Sequence, residues 1–429
     1  MTHLEEKARS ILATLNQHGY KAYFCGGSVR DLLLGQPPKD YDIVTSARPE
    51  EVRKIFPRTI AVGIQFGIVR VVLGHDNFEV ATFRQDGNYQ DGRRPETIRF
   101  SDEQGDALRR DFTINGLFLD PGQNKIIDYV AGEQDLHRKI VRTIGMPQDR
   151  FGEDHLRLLR AVRFACQLDF EIEAETWATI CQLAPSIHRI SGERIRDELL
   201  RMLTGRNPAR ALTLLKESGL LREILPEIAR LEQIHNAGQD QNRFDHTLAL
   251  LQQGTPFSTH ELALSALLYH LGEALGDPWH LSPTTAERTM SICQRLKLPS
   301  KTAEVTVNLV MWSKKNRDVA QMGMADLKRF LRQPCFAGLM HLYRLDCSTG
   351  EGAIELYEYC QRQLAQLHDS LHPVPLLTGN DLIQLGFERG PIFKEILVFL
   401  EGQQLEGKLA DKTAAVALVV AKFGKDCGR

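Results

Sequence analysis

The sequence predicts an α+β protein, in which a head with a small mixed or antiparallel sheet is followed by an all-helical neck, body and tail. Two observations support this prediction. Short runs rich in Val, Ile and Phe, separated by turn residues, occupy the first third of the 429 residues. From about Gly145 onward, helical spacing of apolar residues replaces them. The length is about three times that of a typical domain, so several domains are expected.

Short strands and two helices alternate in the predicted head. The apolar runs that predict strands are residues 21–25, 42–45, 66–73 and 78–83. The segments with helical spacing are residues 4–18 and 49–56. A turn-like Gly-His-Asp-Asn separates the last two strands. We therefore expect one α+β unit with a small sheet.

After the head, apolar residues recur at i, i+3, i+4 and i+7, which is the spacing of an amphipathic helix. The first such stripe is formed by Leu158, Ala161, Val162 and Ala165. The pattern recurs at residues 193–203 and 208–218, and it is interrupted near residues 272–283 and 371–378. The predicted order is a head at 1–145, a helical neck at 146–215, a helical body at 216–370 and a helical tail at 371–429.

Composition narrows the range of functions. Acidic and basic residues number 55 and 53, the net charge is −2, and 42% of the residues are hydrophobic. These values are typical of a folded protein and exclude binding of nucleic acid by bulk positive charge, so a polyanion has to bind at a local basic patch. No apolar run approaches the ~18 residues of a membrane span. The polar N-terminus and eight scattered cysteines favour a cytoplasmic protein.

Asp40 and Asp42 flank Tyr41 directly before an apolar run. In an extended strand, residues i and i+2 point to the same face, so these two carboxylates converge. Carboxylates this close repel each other unless a cation neutralises them, and Mg²⁺ prefers such oxygen ligands. Asp-x-Asp is a short pattern, and by itself a surface turn is the alternative to a metal site.

A glycine pair lies upstream of the aspartates. Gly26 and Gly27 end a predicted strand and begin a helix, an arrangement that points backbone N–H groups toward a phosphate. Ser28 follows, and Arg30 on the first helical turn is placed to donate a charge-assisted bond to a phosphate oxygen. An ordinary strand-to-helix turn is the alternative. Downstream, Glu79 is a charge inside an apolar strand, which indicates either a solvent-facing residue or a third metal ligand.

These features together resemble the signature of the nucleotidyltransferase superfamily that includes DNA polymerase β. More narrowly, they resemble the class II tRNA nucleotidyltransferases, or CCA-adding enzymes, and the bacterial poly(A) polymerases. Four further motifs agree in order and spacing: Arg-Arg-Asp-Phe-Thr-Ile-Asn at 109–115, Asp-Tyr-x-x-Gly-x-x-Asp-Leu at 128–136, Glu-Asp-x-x-Arg-x-x-Arg-Ala-x-Arg-Phe at 153–164 and Glu-Arg-Ile-x-x-Glu-Leu at 193–199. The body and tail resemble the family only in being helical.

The resemblance implies roles for residues of the head and neck. Asp40 and Asp42 would bind Mg²⁺, which clamps the triphosphate and activates the RNA 3′ hydroxyl, and Glu79 would be a catalytic helper near the primer. The nucleotide-binding residues that the motifs imply are Gly26, Gly27, Ser28, Arg30, Arg110, Asp111, Asn115, Asp154, Arg157, Arg160 and Arg163. Arg110 and Asp111 would read the ribose through its 2′-OH. An exposed charged cluster that caps a strand is the alternative for Arg109, Arg110 and Asp111.

Asp154 and Arg157 are expected to read the base. On a helix, residues i and i+3 are neighbours, so this carboxylate and this guanidinium lie side by side. The carboxylate accepts from the exocyclic amino group of cytosine or adenine, and the guanidinium donates to the adjacent ring acceptor. Uracil and guanine present a carbonyl to the carboxylate and are rejected. Outside this motif, an ordinary helical salt bridge would be the simpler interpretation.

Residues 84–95 bear on the choice among related activities. The segment resembles the flexible loop of bacterial CCA-adding enzymes, which is described as a lever for the switch from C to A, and its implied residues are Asp86, Arg93 and Arg94. Poly(A) polymerases carry a different insertion and a basic C-terminal extension, whereas residues 378–429 hold seven basic and seven acidic residues. We therefore favour CCA addition over A-only addition or poly(A) synthesis. A polar hairpin without a switching role is the alternative for the loop.

Certain bacterial relatives carry a His-Asp phosphohydrolase site in the body. Here the corresponding helix reads Ala-Leu-Leu-Tyr-His-Leu-Gly at 266–272, with leucine in place of the metal-binding aspartate. We therefore predict that His235, His246 and His270 are core or surface residues. We also predict that the protein has no metal-dependent phosphatase activity.

The sequence thus predicts a Mg²⁺-dependent, template-independent enzyme that adds CMP and AMP from CTP and ATP to the 3′ end of tRNA. The expected RNA partner is the tRNA acceptor arm, held by local basic patches, and no membrane or protein partner is implied. A catalytically inactive RNA-binding protein is the alternative of another class, and the intact Asp40 and Asp42 argue against it. Transfer to an antibiotic or a protein is disfavoured by the base-reading Arg157.

Overall fold

The computed structural model describes residues 2–61, 63–87, 98–235, 242–276, 283–350 and 352–424. The chain forms two compact units. The first contains residues 1–232, 255–258 and 294–298, and the second contains residues 233–254, 259–293 and 299–429. The segments predicted as head and neck both lie in the first unit, and the domain boundaries at 145, 215 and 370 stay predictions.

A seven-stranded mixed sheet and two short strand pairs lie in the first unit. In chain order the strands are β1 (Ala22–Cys25), β2 (Ile43–Thr45), β3 (Thr59–Ile60), β4 (Ile68–Leu73), β5 (Asp76–Thr82), β6 (Arg84–Asp86), β7 (Ile98–Phe100), β8 (Phe118–Asp120), β9 (Lys125–Ile127), β10 (Ile140–Val141) and β11 (Glu171–Ile172). The order across the sheet is β3-β4-β5-β2-β1-β8-β9. β2 and β5 run parallel, with Ile43 opposite Val80, and the other neighbours are antiparallel. β6 pairs with β7, and β10 with β11.

In the first unit, some helices pack against the sheet, and others come after its strands in the sequence. They are α1 (His3–Gln17), α2 (Gly27–Leu33), α3 (Pro49–Ile55), α4 (Glu103–Leu108), α5 (Gly132–Arg138), α6 (Pro147–Glu153), α7 (Leu156–Leu168), α8 (Ala174–Leu183), α9 (Gly192–Leu203), α10 (Pro208–Glu217), α11 (Leu220–Ile224) and α12 (Pro226–Ala229). This architecture confirms the predicted fold class, an α+β head followed by helices.

The central strands β1 and β2 are buried on both faces. Phe24 and Ile43 belong to an apolar cluster with residues of α1 and α3. Their neighbours Cys25 and Val44 belong to a second cluster with Phe118 of β8. Because successive side chains of a strand point to opposite faces, strands packed on both sides appear in the sequence as continuous apolar runs. This double packing holds the ends of β1 and β2, where the glycine pair and the aspartates lie.

The second unit is built of helices. In chain order they are α13 (Arg243–Gln253), α14 (His260–Leu267), α15 (Leu271–Ala274), α16 (Pro283–Arg295), α17 (Ser300–Trp312), α18 (Met324–Leu331), α19 (Phe336–Ser348), α20 (Ile354–Leu367), α21 (Gly379–Gln384), α22 (Pro391–Leu405) and α23 (Lys412–Phe423), and the last two residues of α16 belong to the first unit. Leu382, Ile396 and Val419 bring α21, α22 and α23 together in one apolar cluster. Across the described ranges, none of the helices is long and apolar enough to cross a membrane.

The predicted strands and helices of the head agree with the structure to within two residues at each end. Strands β3, β6, β7, β8 and β9 were not predicted, because segments of two or three residues do not show a clear period. Strand structure also extends past Gly145, since Glu171 and Ile172 of β11 pair with Ile140 and Val141 of β10.

Candidate active site

A cavity of about 610 Å³ opens in the first unit and holds most of the predicted site residues. It is lined by Gly26, Gly27, Arg30, Asp40, Asp42, Arg84, Arg109, Arg110, Asp111, Asn115, Asp154, Leu156, Arg157, Arg160, Arg163, Phe164 and Arg194. Eight of these residues are arginines and four are aspartates. The lining therefore carries an excess of positive charge around a small group of carboxylates, which suits a polyphosphate bound with a cation.

Gly26 allows a close approach at the floor of the cavity. Its φ is +66°, a region that glycine adopts far more readily than other residues. A Cβ atom at this position would lie 3.0 Å from Nη1 of Arg110. Gly26 is thus required both by the turn from β1 into α2 and by the guanidinium packed against it.

Asp40 and Asp42 both line the cavity, as their spacing predicted. They lie in the segment before β2 rather than within it, and the backbone N–H of Cys25 donates to the carbonyl of Asp42 at 3.0 Å. Burial raises the pKa of Asp42 to about 6, and the nearby charges of Asp40 and Glu79 add to the increase. The two aspartates and Glu79 form a site of concentrated negative charge that a cation would relieve.

This carboxylate pair fits a divalent metal ion, because its oxygen atoms are the ligands that such ions prefer. The charges of Asp40 and Glu79 disfavour the ionised form of Asp42, and a bound cation would offset them. Carboxylate oxygens are hard ligands, which suit such a cation. In the part of the chain that the structure describes, no group of three or more His, Cys, Asp or Glu side chains is arranged to hold a metal. Asp40 and Asp42 are the pair of carboxylates in the cavity lining that would hold such an ion.

Glu79 lies on β5, beside the cavity rather than in its lining. It faces Arg70 across the β4–β5 ladder, and Arg70 Nη2 lies 3.2 Å from its Oε1. Its side chain is about half exposed. It is therefore a solvent-facing strand residue in this structure, close enough to Asp42 for their charges to interact.

Ser28 does not present its side chain to the cavity. Its hydroxyl is buried and donates to the carbonyl of Cys25 at 2.9 Å. The predicted contact with a phosphate is thus left to the backbone N–H of this residue, at the start of α2. The neighbouring Gly27 and Arg30 do line the cavity.

Asp106 organises two of the cavity arginines and was not singled out from the sequence. Its carboxylate is fully buried on α4, where Oδ1 accepts from Arg109 Nε and Nη2 at 2.9 and 2.6 Å. Oδ2 accepts from Arg110 Nε and Nη2 at 3.1 and 2.8 Å. Burial by itself would raise the pKa of Asp106, but the charges of Arg110 and Arg109 outweigh it and lower the pKa. The Asp-x-x-Arg-Arg spacing, i to i+3 and i+4 around a helix end, was the available signal.

Asp111 is the centre of a hydrogen-bond network. Its Oδ2 accepts from Arg160 Nε and Nη2 at 2.8 and 2.6 Å, and its Oδ1 accepts from Asn115 Nδ2 at 3.1 Å and from the backbone N–H of Phe112 at 2.8 Å. Burial would raise the pKa of Asp111, but the charge of Arg160 and the bonds from Asn115 and Arg160 lower it to about 2. Asn115 Oδ1 accepts in turn from Arg30 Nη1 at 2.7 Å. Four of the residues implied by the motifs are therefore joined in one network.

The expected helical spacing of Asp154 and Arg157 is wrong. Asp154 has an extended backbone conformation between α6 and α7, whereas Arg157 lies in the first turn of α7. The two side chains have separate partners: Arg194 binds Asp154, and Glu153 binds Arg157. Both nevertheless line the cavity, so the break in the helix still brings this acceptor and this donor to one wall.

Phe164 packs among the arginines of α7 and α2. The guanidinium carbon of Arg163 lies 4.0 Å from its ring centroid, and those of Arg30 and Arg160 lie 5.3 Å away. Arg163 is also bound to the buried Glu198 of α9, with Nε and Oε2 2.5 Å apart. The ring and the carboxylate hold these arginines in place along the wall of the cavity.

The predicted flexible loop lies largely outside the described residues. Arg93 and Arg94 fall there, as does the side chain of Asp86, whose backbone is the last residue of β6. In the second unit, the predictions for the histidines agree with the structure, since His246 and His270 are buried and His235 is exposed. The absence of phosphatase activity stays a prediction.

Two family models match the first unit. Residues 22–142 match the poly A polymerase head domain, and residues 169–231 match a probable RNA and SrmB-binding site of polymerase A. Together with the mixed sheet and the carboxylate pair in an arginine-lined cavity, these matches define a nucleotidyltransferase of the polymerase β type.

Whole-chain similarity narrows the class to a family. The CCA-adding enzyme of Levilactobacillus brevis is 34% identical over 420 residues, covering 97% of each chain. The enzyme of that name from Enterococcus faecalis is 35% identical over 425 residues, covering 95% of this chain and 93% of that one. This chain belongs to the family of CCA-adding enzymes, which confirms the resemblance read from the motifs.

Solved structures agree with this assignment. The CCA-adding enzyme of Bacillus stearothermophilus in complex with CTP superposes with a TM-score of 0.76 at 30% identity and covers all of both chains. The Thermotoga maritima CCA-adding enzyme complexed with tRNA superposes with a TM-score of 0.61, covering 97% of this chain and 95% of that one. At 19% identity the second comparison supports the fold alone.

Proposed function

We propose that this protein builds or repairs the 3′ CCA end of tRNA by Mg²⁺-dependent transfer of CMP and AMP from CTP and ATP. The observation that carries the proposal is that two pairs of side chains with different chemical roles line one cavity. Asp40 and Asp42 supply a cation site, while Asp154 and Arg157 supply an acceptor and a donor for a base. The similarity to a CCA-adding enzyme solved with CTP supports CTP as a substrate.

Recognition of the triphosphate falls to the arginines and to the turn at Gly26 and Gly27. Arg30 and Arg110 flank this turn, and both are held by acceptors on the protein, Asn115 and Asp106. Their side chains are therefore oriented before a nucleotide binds, which reduces the entropy lost on binding. Phosphate oxygens would complete the donor capacity of these guanidinium groups.

Asp40 and Asp42 would hold Mg²⁺ as oxygen ligands beside the triphosphate. When bound, the metal stabilises negative charge on the phosphates and lowers the pKa of a coordinated hydroxyl. The protein contributes by placing the RNA 3′ hydroxyl and the α-phosphate in line, and the arginines of the cavity wall stabilise the charge of the departing pyrophosphate. Glu79 is proposed as a helper at the primer, released from Arg70 when RNA binds.

Selection of the base is assigned to Asp154 and Arg157. Cytosine and adenine both carry an exocyclic amino group beside a ring nitrogen, so one carboxylate and one guanidinium recognise either base. Asp111 is proposed to contact the ribose, although its carboxylate already accepts four hydrogen bonds in this structure. A 2′-OH would have to share or replace one of these bonds, and the Arg160 bond is the one a nucleotide phosphate can take over.

The test is a single-turnover extension assay. A tRNA that ends at the discriminator base is offered CTP alone, ATP alone and then both, with and without Mg²⁺. We expect two cytidines from CTP alone, and completion to CCA only when both nucleotides and Mg²⁺ are present. Asp42→Asn should abolish addition from either nucleotide, because it removes one of the two metal-binding carboxylates.

Other products would reject the proposal in distinct ways. Long tails from ATP with CTP ignored would identify a poly(A) polymerase, and a single A added only to tRNA ending in CC would identify an A-adding enzyme. Asp76→Asn is the matched control, because Asp76 lies in the same head but binds Lys7 at 2.6 Å, away from the cavity. Loss of activity in both variants would assign the effect to folding.

The loop and the domain boundaries belong to the same proposal. Asp86, Arg93 and Arg94 are proposed to switch addition from C to A, so deletion of residues 88–97 should leave CC addition intact and stop the final A.

The tail at 371–429 is proposed to hold tRNA, and truncation near residue 370 should raise the KM for tRNA with little change for CTP. A cytoplasmic location, where tRNA is matured, is part of the proposal and can be checked by cell fractionation.

A further inference from the structure

Arg194 on α9 binds the carboxylate of Asp154 from across the cavity wall. Its Nη1 lies 3.1 Å from Oδ1 and its Nη2 lies 2.7 Å from Oδ2, which is the two-pronged geometry of an arginine–carboxylate pair. Both side chains are mostly buried, with exposures of 23% for Arg194 and 14% for Asp154. The two residues are 40 positions apart in the sequence, so the pair joins two separate helical segments.

The orientation of Asp154 is fixed by a third bond as well. Its Oδ1 accepts from the backbone N–H of Leu156, the first residue of α7, at 3.0 Å. A carboxylate offers about four acceptor positions, so three bonds define its plane and leave limited room for one further donor. Since Arg194 binds both oxygens, it is the partner that prevents the carboxylate from turning about its last side-chain bond.

We propose that Arg194 is a specificity-determining positioning residue, which holds the Asp154 carboxylate in the orientation that rejects uracil and guanine. This inference rests on the proposed function, because it assumes that Asp154 accepts from the amino group of the incoming base. In this proposal Arg194, which lines the cavity, acts through Asp154 and is assigned no contact with the phosphates or the 3′ hydroxyl.

The physical reason lies in what a fixed acceptor does to the wrong base. A carbonyl oxygen of uracil held against a carboxylate places two acceptors in contact, and this repulsion disfavours UTP. Rejection requires that the carboxylate cannot rotate away. Without Arg194 the carboxylate can turn aside, so the amino group of cytosine loses a well-placed acceptor and the uracil carbonyl loses its repulsive neighbour.

The experiment compares kcat/KM for CTP and UTP in the full-length enzyme with tRNA as primer. Arg194→Met keeps the length of the side chain and removes its donors. We expect the ratio of UTP to CTP efficiency to rise about tenfold or more, as loss of a charge-assisted hydrogen bond allows. Arg194→Lys, which can donate to one oxygen at a time, should recover part of the discrimination.

Arg196→Met is the matched control on the same helix. Arg196 binds Asp197 at 2.9 Å and the carbonyl of Lys297, and it is not part of the cavity lining. Its variant should keep the wild-type ratio. Equal losses for CTP, ATP and UTP in Arg194→Met, with an unchanged ratio, would overturn the proposal and leave Arg194 with a purely structural role.

A double-variant comparison separates action through Asp154 from action by another route. If Arg194 acts through Asp154, adding Arg194→Met to Asp154→Asn should not change the UTP to CTP ratio further. A further change in the double variant would overturn the proposal. A wild-type enzyme that adds UMP as readily as CMP would contradict the proposed function itself, and this inference with it.

Discussion

The Arg110 guanidinium, which lines the candidate active-site cavity, donates through two nitrogens to one oxygen of the buried Asp106 carboxylate. Arg110 Nε and Nη2 lie 3.1 and 2.8 Å from the same oxygen, and Asp106 has no solvent exposure. The other oxygen binds Arg109. A single buried charge therefore fixes two arginines of the candidate active site.

Replacing Asp106 by Asn is expected to lower the free energy of unfolding by about 3 kcal/mol, because it leaves two largely buried guanidinium groups without their counter-charge. Addition should also slow in the folded fraction, since Arg110 lines the cavity. Urea denaturation and single-turnover kinetics measure the two effects. Asp102→Ala removes the N-cap bond from Gly105 and a long bond from the Ser101 hydroxyl at the start of the same helix. It should cost about 1 kcal/mol without slowing addition. Equal costs for the two variants would contradict this view of Asp106.

Asp42 should make the stability of the metal-free enzyme depend on pH. Burial and the charges of Asp40 and Glu79 raise the pKa of Asp42 to about 6, above the value in the unfolded chain. The stabilising contribution of this group is therefore present below its unfolded pKa and lost as the pH rises through about 6. Asp42→Asn should be more stable than the wild type at neutral pH when metal is chelated, and this advantage should vanish near about pH 4.

Thermal unfolding in the presence of a chelator, at neutral and acidic pH, checks this prediction. Asp76 is the opposite case, since its hydrogen bond from Lys7 lowers the pKa of its carboxyl. Asp76→Asn should therefore be less stable than the wild type at neutral pH, with the difference closing as the pH falls. The same sign of pH dependence in both variants would rule out the electrostatic explanation.

The apparent affinity for Mg²⁺ should also fall below about pH 6, because protons compete for Asp42.

Asp111 allows a test of sugar selection. If its carboxylate contacts the 2′-OH, Asp111→Asn should reduce the preference for CTP over dCTP about tenfold, the effect of one lost charge-assisted bond. Steady-state efficiencies for the two nucleotides give the ratio. Asn115→Ala is a useful companion, because it removes a neighbour that donates to Asp111 at 3.1 Å. If efficiency falls equally for CTP and dCTP in Asp111→Asn, the residue supports Arg160 rather than reading the sugar.

In the second unit, the burial of His270 predicts that the folded protein loses stability on mild acidification. It is fully buried, and one ring nitrogen of His246 lies 2.7 Å from its Nε2, while its Nδ1 lies 2.8 Å from Glu273. Burial and the charge of Lys314 lower the pKa of His270 well below its usual value. The unfolded chain therefore binds more protons below about pH 6.5, and native stability falls there.

His270→Gln should be less stable than the wild type at neutral pH, and this difference should narrow between about pH 7.5 and 5.5 because the variant lacks the titrating group. Contributions from Asp42 are common to both proteins and cancel. Chemical denaturation at several pH values measures the difference. The exposed His260, in the same unit, provides the matched control variant His260→Gln. A constant difference between His270→Gln and the wild type would refute the prediction.

Local patterns were sufficient to predict the head and its carboxylate pair. Asp40 and Asp42 both line the cavity, although they lie just before β2 rather than in a strand. The burial of β1 and β2 on both faces produced clear apolar runs. The shortest strands, such as β3, β8 and β9, were missed because their two or three residues show no clear period. The fold class therefore followed from the sequence, whereas the full sheet order did not.

The partners of the site residues could not be predicted in the same way. Asp111 and Arg160 are 49 residues apart, and Asp154 and Arg194 are 40 apart, so these pairs depend on how helices pack rather than on spacing. The helical reading of Asp154 failed for a related reason. Periodicity extends a helix across residues 153–157, whereas the extended backbone at Asp154 interrupts it.

At the break between α6 and α7, one side chain serves both the proposed selection of the base and the start of a helix. The carboxylate that is proposed to meet the base also accepts the N–H of Leu156, at the start of the helix that bears Arg157. A substitution at Asp154 alters both the template and the first turn of its support. A lineage drifting toward another base would have to replace the acceptor and repair the helix end in concert, so single mutations at this position are poor evolutionary steps.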